Sequence, residues 1–427
     1  MRKISWQYLN PPVKALLECV SRAGEDAGIP VYIVGGTVRD ILLHNRNVDL
    51  DCVVEGNAIA LAQHVAKLVR GELKTHERFQ TATVTSPDQV SIDFAMAREE
   101  LYPRPGALPV VRPGTLEADL KRRDFTINAM AAALHGPTEG VLRDVYDGVL
   151  DLRRRYIRIL HDSSFVDDPT RILRGIRFEQ RLNFKFEPRT ARLLKSALRE
   201  NVLARIHPAR YFTDFRKMLK EETAPACVRR LRRLGGMDGF FKGQDINVRV
   251  LARVERQRWM LPASLYRQCG ADWALIRFMA LLAGLEKARV EDILQGVPVC
   301  RRENEAILAS LQAGEHVKAL SDKRMASSDI YAILKPLALE NILFIRLRTS
   351  VKIVQERVDF FLKKLNKTKL DITGEDVRRV LGKQSPRLIG CILAEVMEQK
   401  LNGRCPHRRH QLEFIRKRTG RDNAGET

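Results

Sequence analysis

Two aspartates in a short strand-like segment are the clearest candidates for chemistry in this chain. Asp49 and Asp51 lie two residues apart within residues 48–54, and strand alternation places both side chains on one face. Neighbouring carboxylates repel each other unless a proton or a divalent cation lies between them. Mg²⁺ matches the charge and takes oxygen ligands from carboxylates, water and substrate phosphates. The pair predicts a Mg²⁺ site at Asp49 and Asp51, and a solvated strand edge is the alternative.

A glycine turn upstream of these aspartates indicates a phosphate ligand. Val31–Val34 is a short apolar run that predicts a buried strand, and Gly35 and Gly36 end it before a helical stretch from Thr37. A helix after such a turn presents unpaired N–H groups to an anion, and Arg39 in its first turn would add a bidentate phosphate clamp. Two glycines alone predict only a turn, but their spacing from the aspartates favours a nucleotide-handling active site.

A third carboxylate could join the aspartate pair. Asp93 lies in a predicted strand over residues 90–95. It is either a further catalytic carboxylate or a strand-end residue with a structural hydrogen bond.

A row of charged residues further along the chain suggests selection of a nucleobase. Asp168, Arg171, Arg174 and Arg177 recur every three residues and predict one ridge of a helix over residues 168–180. Cytosine and adenine each present an amino donor beside a ring-nitrogen acceptor, so a carboxylate and a guanidinium complement either base. Uracil and guanine invert that polarity. Asp168 and Arg171 would therefore select C or A, and local salt bridges on a helix surface are the alternative.

The predicted elements that must position these residues differ between the two parts of the chain. The early segments alternate strands and helices, with strands predicted at residues 31–34, 48–54, 81–85 and 90–95. Residues 98–120, with four prolines and two glycines, predict a mobile loop. From about residue 153 onward helical periodicity dominates, with no convincing strand. We predict a mostly helical α+β protein: a head with a small mixed sheet, followed by an all-α body.

Composition points to an anionic polymer as partner. Lys and Arg number 74 against 52 Asp and Glu, which gives a net charge of +22. The seven cysteines are scattered without a CxxC pair, so we expect reduced thiols in a cytoplasmic protein. No apolar run approaches the ~20 residues that would span a membrane. Oligomeric state is not predicted.

Four blocks of sequence resemble one family in the order that the family has them. They are residues 31–51, RRDFTINAM at 122–130, residues 160–178, and DITGED at 371–376 with Ile389 and Gly390 beyond it. The chain resembles the class II tRNA nucleotidyltransferases and bacterial poly(A) polymerases, within the polymerase-β-like nucleotidyltransferase superfamily.

This resemblance implies transfer of nucleotides from ATP and CTP to a tRNA 3′ end, with Mg²⁺ and release of pyrophosphate. It implies that Arg123 and Asp124 hold the ribose, that Asn128 supports the site, and that Asp168 and Arg171 read the base. It divides the chain into a catalytic head (1–152), a neck with the template helix (153–235), a helical body (236–365) and a tail (366–427). The tail has a basic C-terminus, a candidate for tRNA binding.

The product stays open between CCA, CC alone and A alone. Residues 99–114 differ from the acidic-basic loop of many enzymes that add all three nucleotides, and they look more like the version in proteins that divide the task. A poly(A) polymerase is the alternative enzyme. An inactive RNA-binding protein is the alternative of another class, although the intact Asp49, Asp51, Arg123 and Asp168 argue against it.

Overall fold

The chain folds as two units. The structure, a computed structural model, describes residues 3–6, 9–45, 49–77, 80–101, 103, 106, 109–261, 270–382 and 384–422. The first unit is Met1–Gly243 and the second is Gln244–Thr427. The division into four domains stays a prediction, because it is finer than these two units.

A mixed sheet of seven strands forms the centre of the first unit. Its order is β3-β4-β5-β2-β1-β8-β9, and only β2 and β5 pair in parallel. A hairpin, β6–β7, and a short parallel pair, β10–β11, lie outside this sheet. The strands are β1 (Val31–Val34), β2 (Leu50–Val54), β3 (Glu72–His76), β4 (Thr81–Thr85), β5 (Ser91–Met96), β6 (Arg98–Leu101), β7 (Val110–Pro113), β8 (Met130–Ala133), β9 (Leu142–Asp144), β10 (Tyr156–Ile157) and β11 (Lys185–Phe186).

Helices cover this sheet and continue beyond it. Leu116 and Leu120 pack against Val34, Val53 and Ala131 of three neighbouring strands, because these apolar side chains share one face of the sheet. The helices of the first unit are α1 (Pro11–Ala27), α2 (Gly36–Leu42), α3 (Ala58–Val69), α4 (Leu116–Lys121), α5 (Gly148–Arg154), α6 (Ser164–Asp167), α7 (Thr170–Arg181), α8 (Pro188–Arg199), α9 (Pro208–Lys220) and α10 (Ala224–Arg233), with 3₁₀ turns at Thr126–Asn128 and Val202–Arg205.

The second unit is helical throughout its described residues. A cluster of Ile372, Val377, Ile389, Ile392 and Val396 forms the core of its last part. The helices are α11 (Val248–Trp259), α12 (Trp273–Leu282), α13 (Lys287–Leu294), α14 (Arg301–Ser310), α15 (Ala313–Ala319), α16 (Ser327–Leu334), α17 (Leu339–Arg348), α18 (Lys352–Lys363), α19 (Gly374–Leu381), α20 (Pro386–Leu401) and α21 (Arg408–Asp422), with a 3₁₀ turn at Leu365–Lys367. None of the helices described is long and apolar enough to cross a membrane.

The predicted fold class is confirmed, with local corrections. The region 98–120 is largely ordered secondary structure, because β6 and β7 pair as a hairpin and α4 follows them. Two short strands, β10 and β11, lie in the region predicted to lack strands. Val48 and Pro105, which were part of the predicted strand and loop, lie outside the described residues.

Candidate active site

Two predicted carboxylates lie side by side in the sheet. Strands β2 and β5 pair in parallel, and Asp51 is in register with Asp93. Residues in register on adjacent strands project to the same face. Asp93 also accepts a hydrogen bond of 2.5 Å from the Thr83 hydroxyl on β4. The two aspartates, 42 positions apart in the sequence, therefore meet on one face of β2 and β5.

Asp49 lies just before β2, so the prediction that it is a strand residue is wrong by one position. Its side chain is exposed. The buried Thr37 hydroxyl links the two aspartates, because it donates to the Asp49 carbonyl at 2.7 Å and accepts from the Asp51 amide at 2.8 Å. Sequence reasoning missed this threonine, whose only signal is its place after the two glycines.

The electrostatics around Asp51 suit a divalent cation. Burial raises the pKa of Asp51 to about 6, with Asp93 and Asp49 adding to the rise and Arg123 opposing it. A cation between these carboxylates would favour the ionised form of Asp51, because its positive charge opposes the effects of burial and of the two neighbouring carboxylates. No three Asp, Glu, His or Cys side chains converge tightly enough to form a closed metal cage in the described chain. Mg²⁺ does not need such a cage, because it binds through one or two carboxylates and completes its shell with water and phosphates.

A cavity of about 450 Å³ lies over this carboxylate pair. The sheet face with Asp51, Asp93 and Thr83 lines one side, and Arg122 and Arg123 line another. The cavity thus brings carboxylates and guanidinium groups together, as binding a metal and a phosphate ester requires.

Gly35 lets Arg123 approach the backbone of the turn after β1. Its φ of +63° and ψ of −124° suit glycine, and a Cβ there would lie 2.5 Å from Arg123 Nη1. The glycine is therefore required both by its backbone conformation and by the packing of Arg123.

Asp119 on α4 holds both arginines of the cavity. It is fully buried, and its Oδ1 accepts two hydrogen bonds from Arg122, at 2.9 and 2.6 Å. Its Oδ2 accepts two from Arg123, at 3.1 and 2.7 Å. Burial raises the pKa of Asp119, but the charges of Arg123 and Arg122 outweigh burial and hold it below its ordinary value. Sequence reasoning missed Asp119, because it lies in the segment 98–120 that was predicted to be a loop.

The structure does not support Arg39 as a phosphate clamp. The side chain is buried, and its guanidinium donates to both oxygens of Asp40, each at 2.9 Å, and to Asn128 Oδ1 at 2.6 Å. It also lies 5.1 Å from the centre of the Phe178 ring. The Arg39 guanidinium therefore donates its hydrogen bonds to Asp40 and Asn128, and it orients the Asn128 side chain.

Asp124 and Asn128 form the next part of this polar network. Asn128 Nδ2 donates to Asp124 Oδ1 at 3.0 Å, and Arg174 Nε lies 3.4 Å from Asp124 Oδ2. Arg174 Nη2 also donates to Asp168 at 3.1 Å. A continuous chain of contacts therefore runs from Arg39 to Asp168.

Asp168 does not lie on the predicted helical ridge, because α7 begins at Thr170. Asp168 has extended backbone (φ −132°, ψ 91°), and its Oδ1 accepts from the Thr170 amide and hydroxyl at 3.1 and 2.6 Å. Arg210 also donates to it at 3.0 Å. Burial raises the pKa of Asp168, but Arg174 foremost, with Thr170 and the other arginines, keeps it lowered.

Arg171 is buried close to Asp168, but its guanidinium points elsewhere. Its Nε lies 3.9 Å from Asp168, while Nη1 donates to Ser164 and Nη2 donates to the Arg122 carbonyl at 2.9 Å. Arg177 lies on α7 two turns further along, where it contacts Glu221 at 3.5 Å and the Phe178 ring. Asp168 thus contacts Arg171 at 3.9 Å and Arg174 at 3.1 Å, while Arg177 lies further along α7 beside Glu221.

Two protein-family models match the chain between residues 31 and 246. Residues 31–158 match the "Poly A polymerase head domain", and residues 183–246 match the "Probable RNA and SrmB- binding site of polymerase A". The first match contains Asp49, Asp51, Asp93 and Arg123.

Curated relatives extend the similarity along the chain. An A-adding tRNA nucleotidyltransferase of Halalkalibacterium halodurans is 34% identical over 94% of this chain and 92% of its own length. The A-adding enzyme of Geobacter sulfurreducens is 33% identical over 95% of this chain, which spans 47% of that protein. A CC-adding enzyme of Deinococcus radiodurans is 40% identical, but over only 45% of this chain.

Solved structures share the whole architecture. An apo CCA-adding enzyme matches with a TM-score of 0.75 and 29% identity, covering 97% of this chain and 98% of its own. The Thermotoga maritima CCA-adding enzyme in complex with tRNA matches with a TM-score of 0.71 and 29% identity, covering 98% of this chain and 99% of its own. The chain therefore belongs to the family of the tRNA nucleotidyltransferases and bacterial poly(A) polymerases.

Proposed function

We propose that this chain adds nucleotides from ATP or CTP to the 3′ end of tRNA and releases pyrophosphate. The observation that carries the proposal is the pair Asp51 and Asp93, in register below Arg123 in one cavity. Nucleotidyl transfer needs carboxylates and a guanidinium in one site, because negative charge develops on the phosphate while the attacking 3′-hydroxyl loses its proton.

The family implies use of a divalent metal ion, and we propose that the ion is Mg²⁺. Asp49 and Asp51 would hold it, with Asp93 as the third carboxylate. When bound, it would neutralise phosphate charge and lower the pKa of the attacking 3′-hydroxyl.

The chain's own residues bind and orient the nucleotide in this proposal. Arg123, held by Asp119, pairs with phosphate oxygens and contacts the ribose. The backbone of Gly35 and Gly36 admits the phosphates closely. Asp124 joins Arg123 at the ribose, Asn128 supports the site, and Arg39 acts as a positioning residue through its bond to Asn128.

Base selection is assigned to Asp168 and Arg171, with Arg174 and Arg177 in support. Asp168 and Arg171 are both buried, and a mismatched donor or acceptor in such a dry place costs about 1–3 kcal/mol. Asp168 keeps a lowered pKa and therefore an acceptor-only carboxylate, which suits the amino group of A or C. On binding, Arg171 must turn from Ser164 toward the base.

Addition of a single A is the product that the relatives favour. Three relatives named as A-adding enzymes align over 95%, 79% and 94% of this chain, whereas the CC-adding relative aligns over 45%. Addition of the whole CCA sequence is the second candidate, because structures of CCA-adding enzymes cover 97–98% of the chain.

The proposal extends to the rest of the chain. We keep the predicted head, neck, body and tail as working domains. The tail is assigned to tRNA binding, and its basic segment 404–421 covers most of α21. Some of its basic side chains have local partners: Arg408 pairs with Asp376, and Lys417 pairs with Glu413. Cys300 and Cys391 are exposed free thiols, which suits a reducing cytoplasm.

One assay separates these functions. The purified chain is incubated with Mg²⁺, with tRNA ending at the discriminator base, at C or at CC, and with each labelled triphosphate separately. We expect one A on the tRNA ending in CC and nothing on the shorter forms. Extension of the discriminator form to CCA would favour the second candidate, and long A tracts on any RNA would identify a poly(A) polymerase.

Matched aspartate variants test the site. Asp51→Asn should lose incorporation while keeping tRNA binding, because distant basic surface supplies most of the affinity. Asp88→Asn, in an exposed turn between β4 and β5, is the control and should retain full activity. Turnover above a few per cent in Asp51→Asn would contradict the metal-site assignment.

A further inference from the structure

Helix α11 in the second unit carries a row of exposed basic residues that ends in a tryptophan. Arg249, Arg253, Arg256 and Trp259 follow one another at spacings of four, three and three residues, so each neighbours the next along the helix. All four side chains are exposed, and Trp259 is 73% exposed. Together with Arg348, which contacts this row, they are called the α11 surface below.

The arginines of the α11 surface lack carboxylate partners among the described residues. Arg253 Nη1 donates to the Arg348 backbone carbonyl at 3.2 Å, which brings two guanidinium side chains into one neighbourhood. Burial, and then the charge of Arg253, holds the pKa of Arg348 below its ordinary value. Like charges that no acid offsets are unfavourable, and an anion between them would relieve the repulsion.

The buried side of the same helix is arranged differently. Glu255 accepts from Arg277 at 2.7 Å and from Arg258 at 3.3 Å, so the inner arginines are neutralised. On α11 the buried Arg258 therefore has a carboxylate partner, whereas the exposed arginines have none among the described residues. Such an arrangement suits phosphates supplied by another molecule.

Trp259 adds a flat apolar surface beside these charges. The Arg258 guanidinium lies 5.5 Å from the centre of the Trp259 ring and 4.9 Å from that of Trp273. Arg258 therefore supports the indole from the protein side while most of the ring stays in water. An aromatic ring held in this way beside cations is the pattern on which proteins stack unpaired bases.

We propose that the α11 surface binds RNA, with its arginines on backbone phosphates and Trp259 stacked on an unpaired base. The inference rests on the proposed function only in taking tRNA as the RNA in question. The surface lies outside residues 183–246, so it would be a second RNA contact, separate from the one that the family model describes.

The test measures binding of a tRNA ending in CC by the full chain at several salt concentrations. Trp259→Ala should weaken the Kd by about 5- to 150-fold, the effect of losing one stacked base, and Trp259→Phe should restore most of the affinity. Arg253→Gln with Arg256→Gln should lower the slope of log K against log salt by about two. RNA should quench the fluorescence of the wild type more than that of Trp259→Phe.

The control is Arg301→Gln, which removes an exposed arginine that already pairs with Glu305. If the Trp259 and Arg variants bind tRNA with the Kd and salt slope of this control, the proposal is wrong. Nucleotide incorporation is measured in parallel. If the wild type binds tRNA through Trp259 but adds no nucleotide, the proposed function is wrong and the RNA-binding proposal for the α11 surface stands. If the wild type adds nucleotides normally and the Trp259 and Arg variants bind tRNA as tightly as the wild type, the RNA-binding proposal is wrong and the proposed function stands.

Discussion

Replacing Asp119 by asparagine tests whether one buried carboxylate holds both arginines of the candidate active-site cavity. Its two oxygens accept four N–H groups, two from Arg122 and two from Arg123. Asparagine keeps the volume, but its NH₂ group replaces one acceptor and points at a guanidinium. One arginine must then lose both hydrogen bonds. Arg122 keeps Glu100 at 3.0 Å, so Arg123 is expected to move.

The size of the effect follows from burial. Breaking a buried ion pair costs about 3–5 kcal/mol, and the lower end applies because the two arginine side chains retain 17% and 16% of their exposure. A loss of about 3 kcal/mol in the free energy of unfolding should lower the Tm of a unit of this size by roughly 6–12 °C. The loss of a charged hydrogen bond from Arg123 to the nucleotide, about 1.5–3 kcal/mol, should raise the KM for ATP about 10- to 150-fold.

Thermal unfolding and steady-state kinetics with a tRNA ending in CC measure both effects. Glu179→Gln is the matched control, because Glu179 is buried and accepts two hydrogen bonds from Arg230 in the same unit. It should lower the Tm similarly and leave the KM for ATP unchanged. An Asp119→Asn protein with the Tm and KM of the wild type would refute the reasoning. A lowered Tm with a normal KM would mean that other contacts hold Arg123.

Three further variants test separate parts of the structure. Gly35→Ala should remove most activity, because its φ of +63° with ψ of −124° suits glycine and its Cβ would lie 2.5 Å from Arg123 Nη1, whereas Gly28→Ala, in the left-handed helical region (φ +63°, ψ 26°) with open space around it, should not; equal kinetics in both would contradict this requirement for glycine at position 35. Asp376→Asn should lower the Tm at pH 7 but not at pH 2. The Arg408 hydrogen bond holds the pKa of Asp376 at about 2, so its stabilisation is complete above pH ~4 and is lost as pH falls toward 2; a Tm loss independent of pH would exclude this ion pair as the cause. Asp168→Asn should raise UTP and GTP incorporation relative to ATP by about 10- to 150-fold, and a uniform loss with all four triphosphates would leave Asp168 as a structural residue.

Sequence periodicity predicted four strands of the seven-stranded sheet, and it missed the edge strands β3 and β9 and the buried strand β8. The strands Val31–Val34 and Thr81–Thr85 have the predicted bounds. Strand β3 is largely exposed and polar, so no apolar alternation marks it.

Helical periodicity runs without a break over residues 340–365, but the structure has two helices there, α17 and α18. Thr349 between them has extended backbone, and neither proline nor glycine marks the break. Tertiary packing decided this boundary, and local propensity did not reveal it.

The candidate site was predictable where a motif is local. Gly35, Asp49 and Asp51 lie in one short segment with a recognisable order. Thr37 and Asp119 were not predicted as site residues, because the partners that they hydrogen-bond come close only in the folded chain. Arg39 was predicted to bind phosphate because it follows a glycine turn. The sequence alone does not distinguish an arginine that faces solvent from one that is hydrogen-bonded to Asn128.

The register between β2 and β5 fixes the backbone spacing of the two candidate catalytic carboxylates, because the residues that carry them are paired across the two strands. Adjacent strands lie roughly 4.8 Å apart, so this lattice sets the distance between the Asp51 and Asp93 backbones independently of loop length. A slip of one residue would turn one of the two side chains to the opposite face of the sheet. Loops around the cavity can therefore lengthen or change composition without altering the carboxylate geometry, which leaves substrate preference free to diverge while the chemistry is kept.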